Sequence, residues 1–294
     1  MLDFDDYQHR ALLTDLNRDA GERGLTISLL GLAGEAGELL TEYKKQLRDG
    51  QSHQLFRERV TEELGDLLWY ISSVADKYDL SLSAVAQQNL LKNQDRWGER
   101  NRGATSESLA YDAEFPKQER FPSTLVAMLD HTQKGGITQS QFIVAGTPLG
   151  DPLSDNAYND DGYRFHDIFH LGYAAVLGWS PVIRKLLNAK RRSNPLIDTV
   201  EDGGRAAAIE EGIAALVFTY AKGHSFLSGV QEVDTSLLQT IKAMTAHLEV
   251  KDRSMGEWER AILEGFTAWR QIVANQVGGV EADFSGRRLQ YIRE

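Results

Sequence analysis

Apolar residues recur at three- and four-residue intervals through most of the first hundred positions. In TISLLGLAGEAGELLTEYKKQL, Leu29, Leu32, Ala36, Leu39 and Tyr43 fall on one side of a helix. In LFRERVTEELGDLLWYISSVADKYDL, Leu64, Leu67, Leu68, Ile71 and Val74 make a similar stripe. The segments DYQHRALLTDL before them and LSAVAQQNLLKNQDRWGER after them repeat the period, with Asp79 or Ser81 placed to cap the last helix. Residues 3–97 therefore predict helices throughout, interrupted at LRDGQS. So short a break makes the second and third helices antiparallel neighbours.

The period then stops. Residues 98–115 are polar and aperiodic, and a linker is expected over 99–120. From 121 to 146, two extended runs flank Gly135 and Gly136 and predict a β-hairpin. GTPLGDPLSDNAYNDDG reads as a loop. Helical spacing returns near residue 163 and continues through SPVIRKLLNAKR, GRAAAIEEGIAALVFTYAKGH and two later helices around 233–248 and 255–277. The tail, GGVEADFSGRRLQYIRE, fits neither period. The fold class expected is mainly α: a four-helix bundle over 1–98, then a hairpin and a second helical domain over 121–294. TEELGDLLWYISSVADKY and AIEEGIAALVFTYAKGH share a pattern of acids, apolar helix and aromatic. Either the second half is a diverged copy of the first, or two amphipathic helices resemble each other by chance.

Composition narrows the classes. The 294 residues carry a formal charge of −11, which argues against a general binder of nucleic acid or anionic membrane. A nucleotide ligand stays open, because a divalent cation reverses the local sign. With no cysteine there is no disulfide or thiolate metal site. The acidic N-terminus is unlike a secretory signal, and no apolar run approaches a membrane span, so a cytoplasmic protein is expected.

Against that background the acids of GLAGEAGELL stand out. Glu35 and Glu38 are three apart among Gly, Ala and Leu, and Glu63 and Asp66 repeat the spacing on the next helix. If these faces meet, four carboxylates converge with no Lys or Arg in either segment, and a hard divalent cation resolves the repulsion. Solvated helix faces are the competing reading, against which the acids sit among Gly, Ala and Leu rather than in a mixed Lys/Glu surface. On the fourth helix Asn89, Lys92, Asn93 and Arg96 offer a basic face for a polyphosphate, or a favourable helix C-terminus. No GxxxxGK[ST] loop is present, which disfavours a Walker-type NTPase.

E35-x-x-E38, E63-x-x-D66 and the KNxxRW run at 92–97 together resemble the MazG family of all-α nucleoside triphosphate pyrophosphohydrolases, over roughly residues 3–100. The resemblance implies hydrolysis between the α- and β-phosphates, dependent on Mg²⁺ or on Mn²⁺ in its place. It implies Glu35, Glu38, Glu63 and Asp66 as metal ligands, with Glu62, Glu63 and Lys92 in catalysis. Lys92, Asn93 and Arg96 become contacts to phosphate or sugar, and Trp69 and Tyr70 either border the base or pack the core. The family includes both house-cleaning of noncanonical nucleotides and control of dNTP pools, so the substrate is not carried over. A nucleotide-sensing regulator is the alternative. A homo-oligomer or an intramolecular pseudo-dimer is the expected assembly, without membrane or stable nucleic-acid partners.

The second half has chemistry of its own. DDGYRFHDIFHLGY places His166 and His170 at i, i+4, with Asp160, Asp161, Arg164 and Asp167 nearby in sequence. Glu201, Asp202, Glu210 and Glu211 could complete a His/carboxylate site, on which a phosphohydrolase could be centred. The competing reading is a core histidine pair bonded to acids.

Overall fold

The N-terminal periods become α1 (Phe4–Leu12), α2 (Gly21–Asp49), α3 (Phe56–Lys77) and α4 (Leu82–Asn101). The computed structural model describes residues 2–18, 20–101 and 110–293. Two compact units divide between Asn93 and Gln94, so the last turns of α4 count with the second. Helix starts follow the capping chemistry. Asp3 accepts the Asp6 N–H at 2.8 Å to open α1. At α4 the cap is Ser81, whose Oγ accepts the Ala84 N–H at 3.2 Å. Gln8 takes the Leu82 N–H at 2.9 Å and Asp5 the Ser83 N–H at 3.2 Å, so α1 satisfies the other donors that the helix start leaves over.

Helices α2 and α3 meet along a seam of small residues. Gly24 faces Lys77, Ser28 bonds Ser73 at 2.8 Å, and Gly31 lies against the Tyr70 ring. One number rises as the other falls, so the helices run antiparallel. A Cβ at Gly31 would stand 2.1 Å from Tyr70 Cε1, and glycine there is what lets the backbones approach. Asp15 closes the seam's far end, accepting from Ser73 and from Lys77, each at 2.6 Å. This corrects the expected apolar stripes. Leu29, Tyr43, Leu64 and Ile71 are exposed, while the fully buried positions of the seam are serines and small residues.

The second unit is not a helical domain with an appended hairpin. Strands β1 (Thr124–Lys134), β2 (Ile137–Val144), β3 (Thr147–Leu153), β4 (Gly279–Asp283) and β5 (Arg288–Ile292) make one antiparallel sheet, in the order β3-β2-β1-β4-β5. The predicted hairpin is its β1–β2 pair. Lys134 pairs with Ile137 across Gly135 and Gly136, both at positive φ, as a two-residue turn of matching twist requires. One sheet face, with Ala127, Phe142, Val280 and Ala282, joins a core built by the helices. These are α5 (Asp167–Gly172), continued by a π-turn over Tyr173–Leu177, then α6 (Pro181–Leu186), α7 (Pro195–Val200), α8 (Gly204–Lys222), α9 (Thr235–Met244) and α10 (Met255–Asn275). Among the described residues no helix is long and apolar enough to cross a membrane.

Two further expectations change. Of the linker, residues 102–109 lie outside the described residues, but 110–120 is held by a buried ionic network. Arg184 donates to Asp112 at 2.8 Å and to the Glu119 carbonyl at 3.0 Å. Arg191 donates to the Tyr111 carbonyl at 3.1 Å, and to Asp202 and Glu249 at 2.7 and 2.6 Å. Nor is the second half a copy of the first. Its sheet has no counterpart in the N-terminal helices, and the two matched segments sit in opposite settings. Glu62 is exposed and paired with Arg59, whereas Glu210 is wholly buried.

Candidate active site

The register that sets Ser28 against Ser73 and Gly31 against Tyr70 continues along the seam. It brings Glu35 level with Asp66 and Glu38 level with Glu63. Carboxylate oxygens of Glu35, Glu63 and Asp66 come within 4.8 Å of one another. Glu35 and Glu63 are half-buried, Asp66 and Glu38 exposed. Burial, then the charges of Glu35, Glu38, Glu62 and Asp66, push the Glu63 carboxyl above its usual range. Among the described residues, none of the four acids forms an ion pair with Lys or Arg. Gly34, Gly37 and Gly65, their neighbours in sequence, are exposed, and a Cβ at any of them would meet nothing within 4 Å. An all-oxygen donor set that lacks counter-charge and opens to solvent fits Mg²⁺ or Mn²⁺.

The other expected site residues divide. Lys92 is exposed, and Asn93 donates to Asn89 Oδ1 at 3.1 Å on the same helix. Glu62 accepts from Arg59 at 2.8 Å on the solvent side. Arg96 is a correction: it is only 4% exposed, and its guanidinium bonds Glu259 at 2.7 Å and the Val233 carbonyl at 3.0 Å. That guanidinium is committed within the second unit rather than offered to a phosphate. Trp69 donates to Thr14 Oγ1 at 2.8 Å and Tyr70 fills the space above Gly31, so both serve packing. Sequence reasoning missed Glu42. It is 5% exposed, bonded to Lys45 and, at 2.9 Å, to His53, and it fastens the end of α2 to the turn that follows. Its spacing of four from Glu38 was the available signal.

In the second unit the structure brings His166, His170, Glu210 and Glu211 together. His170 Nδ1 lies 2.8 Å from Glu210 Oε1, which also accepts Ser180 Oγ at 2.6 Å. The other oxygen of Glu210 accepts the Val182 N–H at 2.9 Å. Burial disfavours charge on His170, but Glu210 and then Glu211 outweigh it and hold its pKa up at about 10. The Glu211 carboxyl is held low, first by its contact with His170. Asp167 is buried beside them, and that burial raises its carboxyl. Glu201 and Asp202 do not join this cluster. Asp202 is bound to Arg191, and Glu201 accepts the Glu249 N–H at 3.0 Å. Asp160 and Asp161 pair with Arg164 and Lys222.

The helical unit with its converging carboxylates belongs to the class of helical proteins whose site is carried by acids on facing helices. The family follows from the whole chain. Residues 24–100 match the MazG nucleotide pyrophosphohydrolase domain and residues 106–294 the MazG C-terminal domain, and the chain belongs to the MazG family. It is also similar to the Gene 37 protein of Mycobacterium phage L5, at 42% identity over 98 residues, covering 31% of this chain and 86% of the phage protein. No solved structure matches the chain.

Proposed function

We propose that the protein hydrolyses nucleoside triphosphates to the monophosphate and pyrophosphate at the Glu35, Glu38, Glu63 and Asp66 cluster. The observation that carries this is the convergence of Glu35, Glu63 and Asp66 without a cationic partner, inside the segment matching the pyrophosphohydrolase domain. Mg²⁺, or Mn²⁺ in its place, when bound neutralises phosphate oxygens and eases deprotonation of water. Glu35, Glu63 and Asp66 would hold it, with Glu38 swinging in from its exposed position. Glu62, once released from Arg59, can orient the attacking water through a carboxylate oxygen. Lys92 places a mobile point charge for the triphosphate, and Asn93 a neutral donor.

The test is pyrophosphate release from a panel of NTPs, dNTPs and oxidised nucleotides, with Mg²⁺, Mn²⁺ or EDTA, beside Glu38→Gln and Asp66→Asn. Release that needs the metal and disappears in both variants supports the reading. Nucleotide binding without turnover would replace it with a sensor, and orthophosphate release surviving both variants would place the chemistry elsewhere. The exposed leucines of α2 and α3 further support assembly as a homo-oligomer.

A further inference from the structure

His166 and His170 carry the same hydrogen-bonding arrangement on different partners. His166 Nδ1 lies 2.9 Å from the Tyr163 carbonyl, which can only accept, so that nitrogen bears the proton. His170 Nδ1 lies against Glu210 Oε1, which also accepts from Ser180 Oγ, while Oε2 accepts the Val182 N–H; with Glu210 the acceptor in each contact, this nitrogen too is N–H. In the neutral rings both lone pairs are therefore on Nε2. Both point toward Glu211, whose Oε2 is 3.8 Å from His166 Nε2 and 3.4 Å from His170 Nε2. His170 is completely buried, yet its Nε2 makes no hydrogen bond. Two ring nitrogens and a carboxylate converge there, and either a proton on His170 Nε2 or a cation held among the three relieves the repulsion.

We propose that His166, His170 and Glu211 form a second metal centre that takes a first-row transition dication of the Zn²⁺ type. The separations suit it: a tetrahedron with bonds of about 2.0–2.1 Å has edges of roughly 3.4 Å. The donors suit it as well. Imidazole nitrogen selects Zn²⁺, Co²⁺ or Fe²⁺ over Mg²⁺, so this centre and the all-carboxylate one differ in metal. The contacts on Nδ1, a carbonyl for one ring and a carboxylate for the other, are those that orient metal-binding histidines. The Tyr163 ring, stacked on His166 at 4.5 Å and 9°, and the π-turn directly after α5 fix the geometry further. Glu211 is about half exposed, at 47%, so the centre opens to solvent there. Three protein ligands leave a position for water or an oxygen-bearing ligand, as in reactive rather than closed structural sites.

Co²⁺ titration of the EDTA-stripped full-length chain tests this, in excess Mg²⁺ and in an Asp66→Asn background that weakens the acid cluster's claim on the probe. The expected result is one equivalent of Co²⁺ with visible d–d absorption of a low-coordinate, nitrogen-ligated ion, displaced by Zn²⁺. His166→Gln should weaken binding by about a hundredfold or more, since even the outer partners of metal ligands are worth about 10–100-fold. Glu211→Gln, at an exposed position that leaves the core intact, should do the same while far-UV circular dichroism is unchanged. Absorption and stoichiometry that persist in both variants would overturn the assignment. So would the absence of any Co²⁺ band, which would leave His170 as an imidazolium between two carboxylates.

Discussion

Among single residues, Glu63 carries the clearest electrostatic signature. Its folded carboxyl is raised, by burial first and by four neighbouring acids after it. The folded state therefore binds more protons than the unfolded state across the carboxylate range, and stability falls as pH rises through the raised value. We expect the metal-stripped protein to lose stability on going from mildly acidic to neutral pH in urea unfolding, Glu63→Gln to flatten that slope, and saturating Mg²⁺ to remove it. A slope that persists in Glu63→Gln would assign it to other groups. Activity should fall with Asp66→Asn by about a hundredfold or more if Asp66 is a metal ligand, read as kcat/KM for pyrophosphate release. Arg191 tests stability instead. It is buried between Asp202 and Glu249, so Arg191→Met strands Glu249, leaves Asp202 only the longer Arg184 contact at 3.7 Å, and should cost about 3–5 kcal/mol in denaturant unfolding. A loss below about 1 kcal/mol would mean that the network relaxes freely. The carboxylate spacings were legible because i, i+3 fixes a face whatever the helix packs against. Arg96 was misread and Glu42 passed over because a lone side chain's partner depends on tertiary contacts that spacing does not encode.

Elements were legible where local chemistry decides them. Gly135-Gly136 specifies a hairpin on its own, and the start of α10 is written as a capping box between Ser254 and Glu257. β3 was read as loop because Pro148, Gly150 and Pro152 disqualify an interior strand. It lies at the sheet edge, where a missing N–H is tolerated. β4 and β5 escaped notice because each is short and β4 pairs with β1, far away in sequence. The α2–α3 seam offers a prediction at this scale. Alanine is a better helix former than glycine by about 1 kcal/mol, so Gly31→Ala on an isolated helix would stabilise. Here the added Cβ would lie 2.1 Å from the Tyr70 ring, and overpacking of about 1–3 kcal/mol should reverse the sign. Thermal unfolding of Gly31→Ala, and of Gly31→Ala with Tyr70→Leu, reads this out: the first variant melts lower and the second recovers part of the loss. A stabilised single variant would show that the seam is looser than the geometry implies.

For the whole molecule, the N-terminal unit is unusual in leaving its apolar pattern uncovered. Leu40, Tyr43 and Leu47 recur at i, i+3 and i+7 on α2, so they share a face, and the two leucines are 68% and 71% exposed. Leu64 and Ile71 on α3 repeat the seven-residue spacing and are also exposed. Soluble monomers seldom keep such stripes in water. Burying each leucine contributes about 1.5–3 kcal/mol. A two-fold interface counts every residue twice, so a handful of them offsets an association cost of about 4–15 kcal/mol. Of these residues, Tyr43, Leu64 and Ile71 belong to the stripes that periodicity predicted to be buried, and one chain leaves them bare. Sedimentation velocity should give a species larger than the 32.9 kDa protomer. Leu40→Glu with Leu47→Glu should shift it to the protomer mass while leaving Co²⁺ absorption at His166 and His170 unchanged. A wild-type protein that sediments as a protomer would mean that the stripes serve another partner or remain solvated. A double variant that stays assembled would move the interface to other residues, with Leu64 and Ile71 on α3 next to be changed.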